Sequence, residues 1–167
     1  TGFLSLYGDP QHQQVVERGL AYLFNEQESN GSWFGRWGSN YIYGTWSVLE
    51  AMQLAKVDRQ HEAIRKAVQW LKSKQRPDGG WGETNDTYLD PRQAGEFNVS
   101  TSFQTAWALL GLMAAGEVNS TAVQKGISYL MKTQADDHLW YEPWFTAPGF
   151  PRVFYLKYHG YSKYFPI

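Results

Sequence analysis

The feature that most constrains this chain is a repeat. Three segments superimpose without gaps: Arg18, Tyr22, Leu23, Gln27, Gly31 and Trp33; Lys66, Trp70, Leu71, Gln75, Gly79 and Trp81; Lys125, Tyr129, Leu130, Gln134, His138 and Trp140. Each runs from a basic residue through an aromatic, a leucine and a glutamine to a tryptophan at constant spacing. The third copy alone departs, with His138 where the others have glycine. One such unit cannot bury its apolar face by itself, so recurrence at this period means stacking against neighbours.

Each unit is a helix followed by a turn. Val16, Leu20 and Leu23, then Ile64, Val68 and Leu71, then Val123, Ile127 and Leu130 keep the three-or-four spacing of an amphipathic helix. The glutamine and the glycine-bearing stretch after it end the helix. The glutamine amide can serve backbone groups left unpaired there, and the tryptophan ring covers the turn. Asp9-Pro10, Asp58 and Asn119 are the expected helix starts.

Between the repeats lie helices of another character. Thr45 to Met52 and Thr101 to Ala115 are apolar nearly all round, which requires burial on every side. Amphipathic helices alternating with buried ones predict an all-α fold in two layers, an α/α barrel or a part of one. No stretch alternates with a strand's period over a useful length. The bland counterpart is a helical-hairpin solenoid without a site.

Beyond the repeat, the segments Gly31 to Thr45 (GSWFGRWGSNYIYGT), Pro77 to Glu83 (PDGGWGE), Ser100 to Leu109 and Gly149 to Tyr158 carry a specific likeness. Together with the repeats, which resemble QW motifs, they are similar to the class II triterpene cyclases, on the squalene–hopene branch. The resemblance covers nearly all of residues 1–167 and implies the C-terminal portion of a catalytic α/α-barrel (toroid) domain, truncated at both ends. It implies cyclisation of squalene, or a similar polyprenyl hydrocarbon, to hopene-type pentacyclic products by protonation and a cation–olefin cascade. The acid of that family, the middle aspartate of a DxDD motif, falls outside the matched region, so this chain supplies cavity wall and is inactive alone. The implied partners are the remaining N-terminal part of the same chain, a membrane surface met peripherally from the cytoplasm, and a second copy in a homodimer. No cofactor is implied.

Such chemistry needs dry walls and diffuse negative potential, because lone pairs quench carbocations. Ring faces meet that need, with cation–π attraction of about 2 kcal/mol or more once desolvated. Aromatic residues make up 17% of the chain, and eleven of them crowd the 26 positions from Trp140 to Phe165. Phe150, Phe154, Tyr158, Tyr161 and Phe165 step by four, four, three and four, which reads as one stripe of a helix. On periodicity alone that stripe is core. By resemblance Phe150, Phe154, Tyr158 and Tyr161 line the cavity, and Phe165 stays in the core. Trp37 matches a tryptophan of the cavity wall, and Tyr43 a tyrosine in the hydrogen-bond network beside the acid. Gln27, Trp33, Gln75, Trp81, Gln134 and Trp140 are the structural residues of the QW turns.

Other chemistries find little support. With 15 Lys and Arg against 16 Asp and Glu, the net charge of −1 disfavours a nucleic-acid partner. Cysteine is absent, and His12, His61, His138 and His159 are scattered, so no metal site is expected. Asp136-Asp137 lies in the third repeat turn, where solvation is the expected role. Two further readings stay open: a non-catalytic scaffold or lipid-binding module, and a carbohydrate-active α/α barrel. The latter needs two converging carboxylates, and Glu83, Asp90, Glu96 and Glu142 show no pairing.

Overall fold

The computed structural model describes residues 10–167. In chain order they form α1 (Pro10–Asn25), α2 (Tyr41–Leu54), α3 (Glu62–Ser73), α4 (Ser102–Ala114), α5 (Thr121–Thr133), β1 (Ala147–Phe150), β2 (Phe154–Leu156) and α6 (Tyr161–Tyr164). Two short 3₁₀ turns, Asn85–Tyr88 and Pro91–Gln93, interrupt the segment between α3 and α4.

The two layers follow from where the apolar residues lie. In α4 every residue but Leu110 and Met113 is buried, and α4 packs along α2. The repeat helices α3 and α5 bury one face each, through Ile64, Val68 and Leu71 and through Val123 and Leu130. The described residues thus hold two outer–inner pairs and a third outer helix. The chain is mainly helical as the patterning requires, and within these residues no ring is closed.

The repeat turns explain why the outer helices sit side by side. Gln27 Nε2 donates to Gly31 O (2.9 Å) at its own turn and to Ala63 O (2.8 Å) in the first turn of α3. Gln75 repeats this with Gly79 O (2.9 Å) and Ala122 O (2.8 Å) of α5. The indole N–H groups of Trp33, Trp81 and Trp140 donate to Leu23 O, Leu71 O and Leu130 O, tying each turn to its own helix. Gly31 and Gly79 have φ of +95° and +92°, and a Cβ at either would lie 2.7 or 2.6 Å from the carbonyl oxygen of Lys66 or Lys125 in the next outer helix. Only glycine meets both conditions. His138 takes the same left-handed conformation (φ +64°) in the third turn, where among the described residues Gln134 Nε2 bonds only its own turn, at His138 O.

Three expectations need correction. α3 is capped by His61, whose Nδ1 accepts from the Ala63 N–H (3.2 Å), while Asp58 forms a tighter turn upstream by accepting from Gln60. α5 is capped by Ser120, one residue after Asn119. Asp9 lies outside the described residues, although Pro10 does open α1. The third correction is larger. Phe150, Phe154, Tyr158, Tyr161 and Phe165 do not share a helix: the first two lie in an antiparallel hairpin, and α6 begins only at Tyr161. Pro148 and Pro151 explain it, since proline lacks the helical donor and pushes the preceding residue into the extended region.

Candidate functional site

Tyr43 is the third residue of α2, and the buried loop ahead of that helix sets its place. Asn40 stands at the N-cap position, yet its side chain makes no capping bond. Its Oδ1 accepts from the Gly35 N–H (3.1 Å), and its Nδ2 donates to Thr87 Oγ1 (3.0 Å). The cap comes from another repeat. Glu83 Oε1 accepts from the Tyr41 N–H (3.0 Å), and Oε2 accepts from Asn40 (3.2 Å) and Ile42 (2.9 Å). Glu83 is 3% exposed. Burial pushes its carboxyl above the usual range, and the N–H groups of Ile42, Tyr41, Gly95 and Asn40 pull the other way.

Gln104, in the first turn of α4, ties this node together. Its Oε1 accepts from the Glu83 N–H (2.9 Å), and its Nε2 donates to Glu83 O and Ser39 O (both 3.0 Å). Every one of these polar groups is buried and answered, as a low-dielectric interior demands. Tyr88 adds a phenol whose single proton lies between Gly35 O (2.7 Å) and Gly38 O (2.8 Å). Burial holds the Tyr88 hydroxyl protonated well past its usual range, and it pushes Tyr41 up to about 12, with Glu28 and Glu83 adding to the rise at Tyr41.

The Tyr43 ring is clamped. Its Cδ2 and Cγ lie 2.4 Å from where a Cβ on Gly38 would stand, so only glycine passes at that point. Trp107 and Trp46 meet it edge-on, with centroids 5.1 and 5.7 Å away. Trp107 touches Tyr161 (5.7 Å), Tyr161 touches Phe165 (5.2 Å), and Phe165 returns to Trp46 (5.4 Å). Tyr158 stacks on Tyr161 at 5.0 Å. Burial raises the Tyr161 hydroxyl, with the Tyr43 and Tyr158 phenols adding to the rise.

The hairpin is fastened to the same loop. Ser39 N–H donates to Thr146 O (3.1 Å), and the Tyr158 N–H donates to Thr146 Oγ1 (2.8 Å). Tyr155 stacks on Tyr88 at 6.0 Å. A continuous set of bonds therefore runs from Glu83 through Gln104 and Ser39 to the segment carrying Tyr158.

Not every expected site residue joins this cluster. Tyr43, Tyr158 and Tyr161 come together. Phe150 (57% exposed) and Phe154 (45%) face each other edge-on at the outer part of the hairpin, with centroids 5.8 Å apart. Trp37 is 54% exposed, with the Arg36 guanidinium 5.3 Å from its ring centroid. It shares with Tyr43 the lining of a hollow of about 340 Å³ beside α2, together with Trp33, Phe34 and Val48. Arg36 covers that ring.

The carboxylates noted in the sequence have separate partners. Glu83 caps α2, Glu142 accepts from the Ser102 N–H at the start of α4, Asp90 pairs with Arg92, and Glu96 pairs with Lys74. Asp136 and Asp137 are exposed, as expected. Among the described residues no group of three His, Asp or Glu could hold a metal ion, and no helix is long and apolar enough to cross a membrane. Sequence reasoning weighed Glu83 only as an unpaired carboxylate and gave no site role to Gln104, Trp46 or Trp107. A signal for the first was present: Trp81-Gly82-Glu83 and Trp140-Tyr141-Glu142 place a glutamate two residues after the repeat tryptophan, and each accepts from an N–H at the start of the preceding inner helix.

Fold and site together define a helical repeat protein whose inner helices carry an aromatic cluster and whose outer helices are joined by glutamine–tryptophan turns. The chain belongs to the squalene–hopene cyclase family: residues 1–167 match its C-terminal domain. It is 57% identical to the squalene–hopene cyclase of Zymomonas mobilis over 95% of this chain and 24% of that protein. It is 46% identical to the squalene–hopene cyclase of Alicyclobacillus acidocaldarius over 96% of this chain and 25% of that protein. A dammaradiene synthase of Dryopteris crassirhizoma is 43% identical over 99% of this chain and 27% of its own length. The chain spans about a quarter of the length of these relatives.

Proposed function

We propose that this chain is the C-terminal part of a squalene–hopene cyclase, contributing to an α/α barrel in which squalene is folded, protonated and cyclised to hopene-type pentacyclic products. The observation that carries this reading is the contact of Tyr43 with Trp46 and Trp107, which Trp107 extends to Tyr161 and Phe165 in one cluster of rings. Tyr43 supplies a phenol, at once a hydrogen-bond donor and acceptor, that can orient or relay a proton. The rings around it offer π faces to a positive centre, each worth about 2 kcal/mol when water is excluded.

In this reading Trp37, Phe150, Phe154, Tyr158 and Tyr161 face the substrate in the complete enzyme, and the proton comes from an acid that the rest of the enzyme supplies. Peripheral membrane attachment, cytoplasmic placement and a homodimer belong to the same proposal through the resemblance. A carbohydrate-active site is disfavoured by the separate engagement of Glu83, Asp90, Glu96 and Glu142. A purely structural scaffold remains the competing reading. Incubation of the full-length protein with squalene, followed by gas chromatography of the neutral lipids, separates the two. Pentacyclic product is expected, and squalene recovered unchanged from folded protein would overturn the proposal.

A further inference from the structure

We infer that Glu83 is a positioning residue for the cyclisation, holding Tyr43 and the segment bearing Tyr158 in fixed relation. The inference rests on the cyclase reading above and adds a role for a side chain that touches no substrate. The carboxylate answers three successive N–H groups at the start of α2, and Tyr43 is the next residue along. A negative group there also meets the positive end of the helix. Both ends of the Gln104 amide bond the Glu83 main chain. From there Gln104 holds Ser39 O, the Ser39 N–H donates to Thr146 O, and Thr146 Oγ1 receives the Tyr158 N–H, so the carboxylate is what ties α2 to this path. Loosening the carboxylate lets α2 and the hairpin shift against each other, and a displacement on the order of 1 Å at a reacting centre can cost roughly a hundredfold in rate.

The test uses the full-length enzyme and reads each variant per mole of folded protein. Glu83→Gln keeps size and one acceptor, but its amide N–H₂ meets a backbone N–H, donor against donor. The expected result is a fall in kcat of about tenfold or more, KM within about twofold of wild type, and a larger share of incompletely cyclised product. Glu83→Asp, which keeps the charge, is expected to recover part of kcat and of the product ratio. Glu142→Gln weakens the corresponding carboxylate bond to the Ser102 N–H at the start of α4, which keeps its Thr101 cap, and is expected to lower the melting temperature while leaving the product ratio unchanged. Glu83→Gln with wild-type kcat and products and only a lowered melting temperature would overturn the inference. Should Glu83→Gln fail to accumulate in folded form, Glu83→Asp decides: wild-type kcat and product ratio overturn it, and a reduced kcat with altered products supports it. A wild-type enzyme that makes no cyclised product from squalene removes the cyclase reading itself, a different outcome from either.

Discussion

The stack of repeats and the C-terminal hairpin are both rich in aromatic residues, yet they use them in opposite ways. In the stack, Trp33, Trp81 and Trp140 are at most 6% exposed, and each indole N–H has a carbonyl partner. In and just after the hairpin, Phe150, Phe154 and Tyr158 are about half exposed and meet mainly other rings. A ring that closes a turn is fixed by its hydrogen bond as well as by its burial. A ring whose neighbours are only other rings is held by weaker, less directional contacts of about 0.5–1.5 kcal/mol each. The first region is therefore read as architecture and the second as surface offered to something else.

The largest expected effect lies in the stack. Trp81→Ala removes a fully buried ring together with its bond to Leu71 O and should destabilise the full-length protein by roughly 3–5 kcal/mol in denaturant unfolding. A cost below about 1 kcal/mol, of the size usual for an exposed position, would erase the distinction between the two regions.

Within the stack, the turns themselves divide. Gly79→Ala forces a left-handed alanine against Lys125 O and should cost on the order of 1–3 kcal/mol. His138→Gly, in the turn whose glutamine makes no second bond among the described residues, should be neutral or stabilising by about 1 kcal/mol, because it relieves the left-handed penalty. Equal effects at both positions would mean that contact with the next outer helix is not what demands glycine.

The smallest effect is electrostatic and belongs to the segment between α3 and α4. The Arg92 guanidinium, bonded to Asp90, holds that carboxyl down at about 2. Because the folded value lies below the ordinary one, the contribution is complete above about pH 4 and is lost as pH falls towards 2. The difference in melting temperature between wild type and Asp90→Asn should shrink over that interval, and a difference that stays constant would show the pair to be idle.

These contrasts also explain what the sequence could and could not reveal. Helices α1, α3 and α5 and their turns were readable because the information is local: periodicity, a glutamine and a tryptophan at fixed spacing. The buried character of α2 and α4 followed from their uniform apolarity. The hairpin was misread because a four-residue step satisfies helical spacing whatever the backbone does, and Pro148 and Pro151 were not allowed to outvote it. Of the residues expected at the site, Tyr43, Tyr158 and Tyr161 lie in one ring cluster, whereas Phe150 and Phe154 stand apart from them. Glu83 was weighed only as a carboxylate without a partner. Its partners are backbone N–H groups more than forty positions away in the chain, and a search for paired side chains does not register those.

The central claim is that Tyr158, about half exposed and stacked on Tyr161 in the ring cluster that includes Tyr43, steers a cation rather than holding the fold. Tyr158→Ala in the full-length enzyme tests it most directly, with melting temperature and the squalene product profile measured on one preparation. The account predicts stability within about 0.5 kcal/mol of wild type and a marked rise in partially cyclised hydrocarbons. An unaltered product profile at wild-type turnover would contradict it.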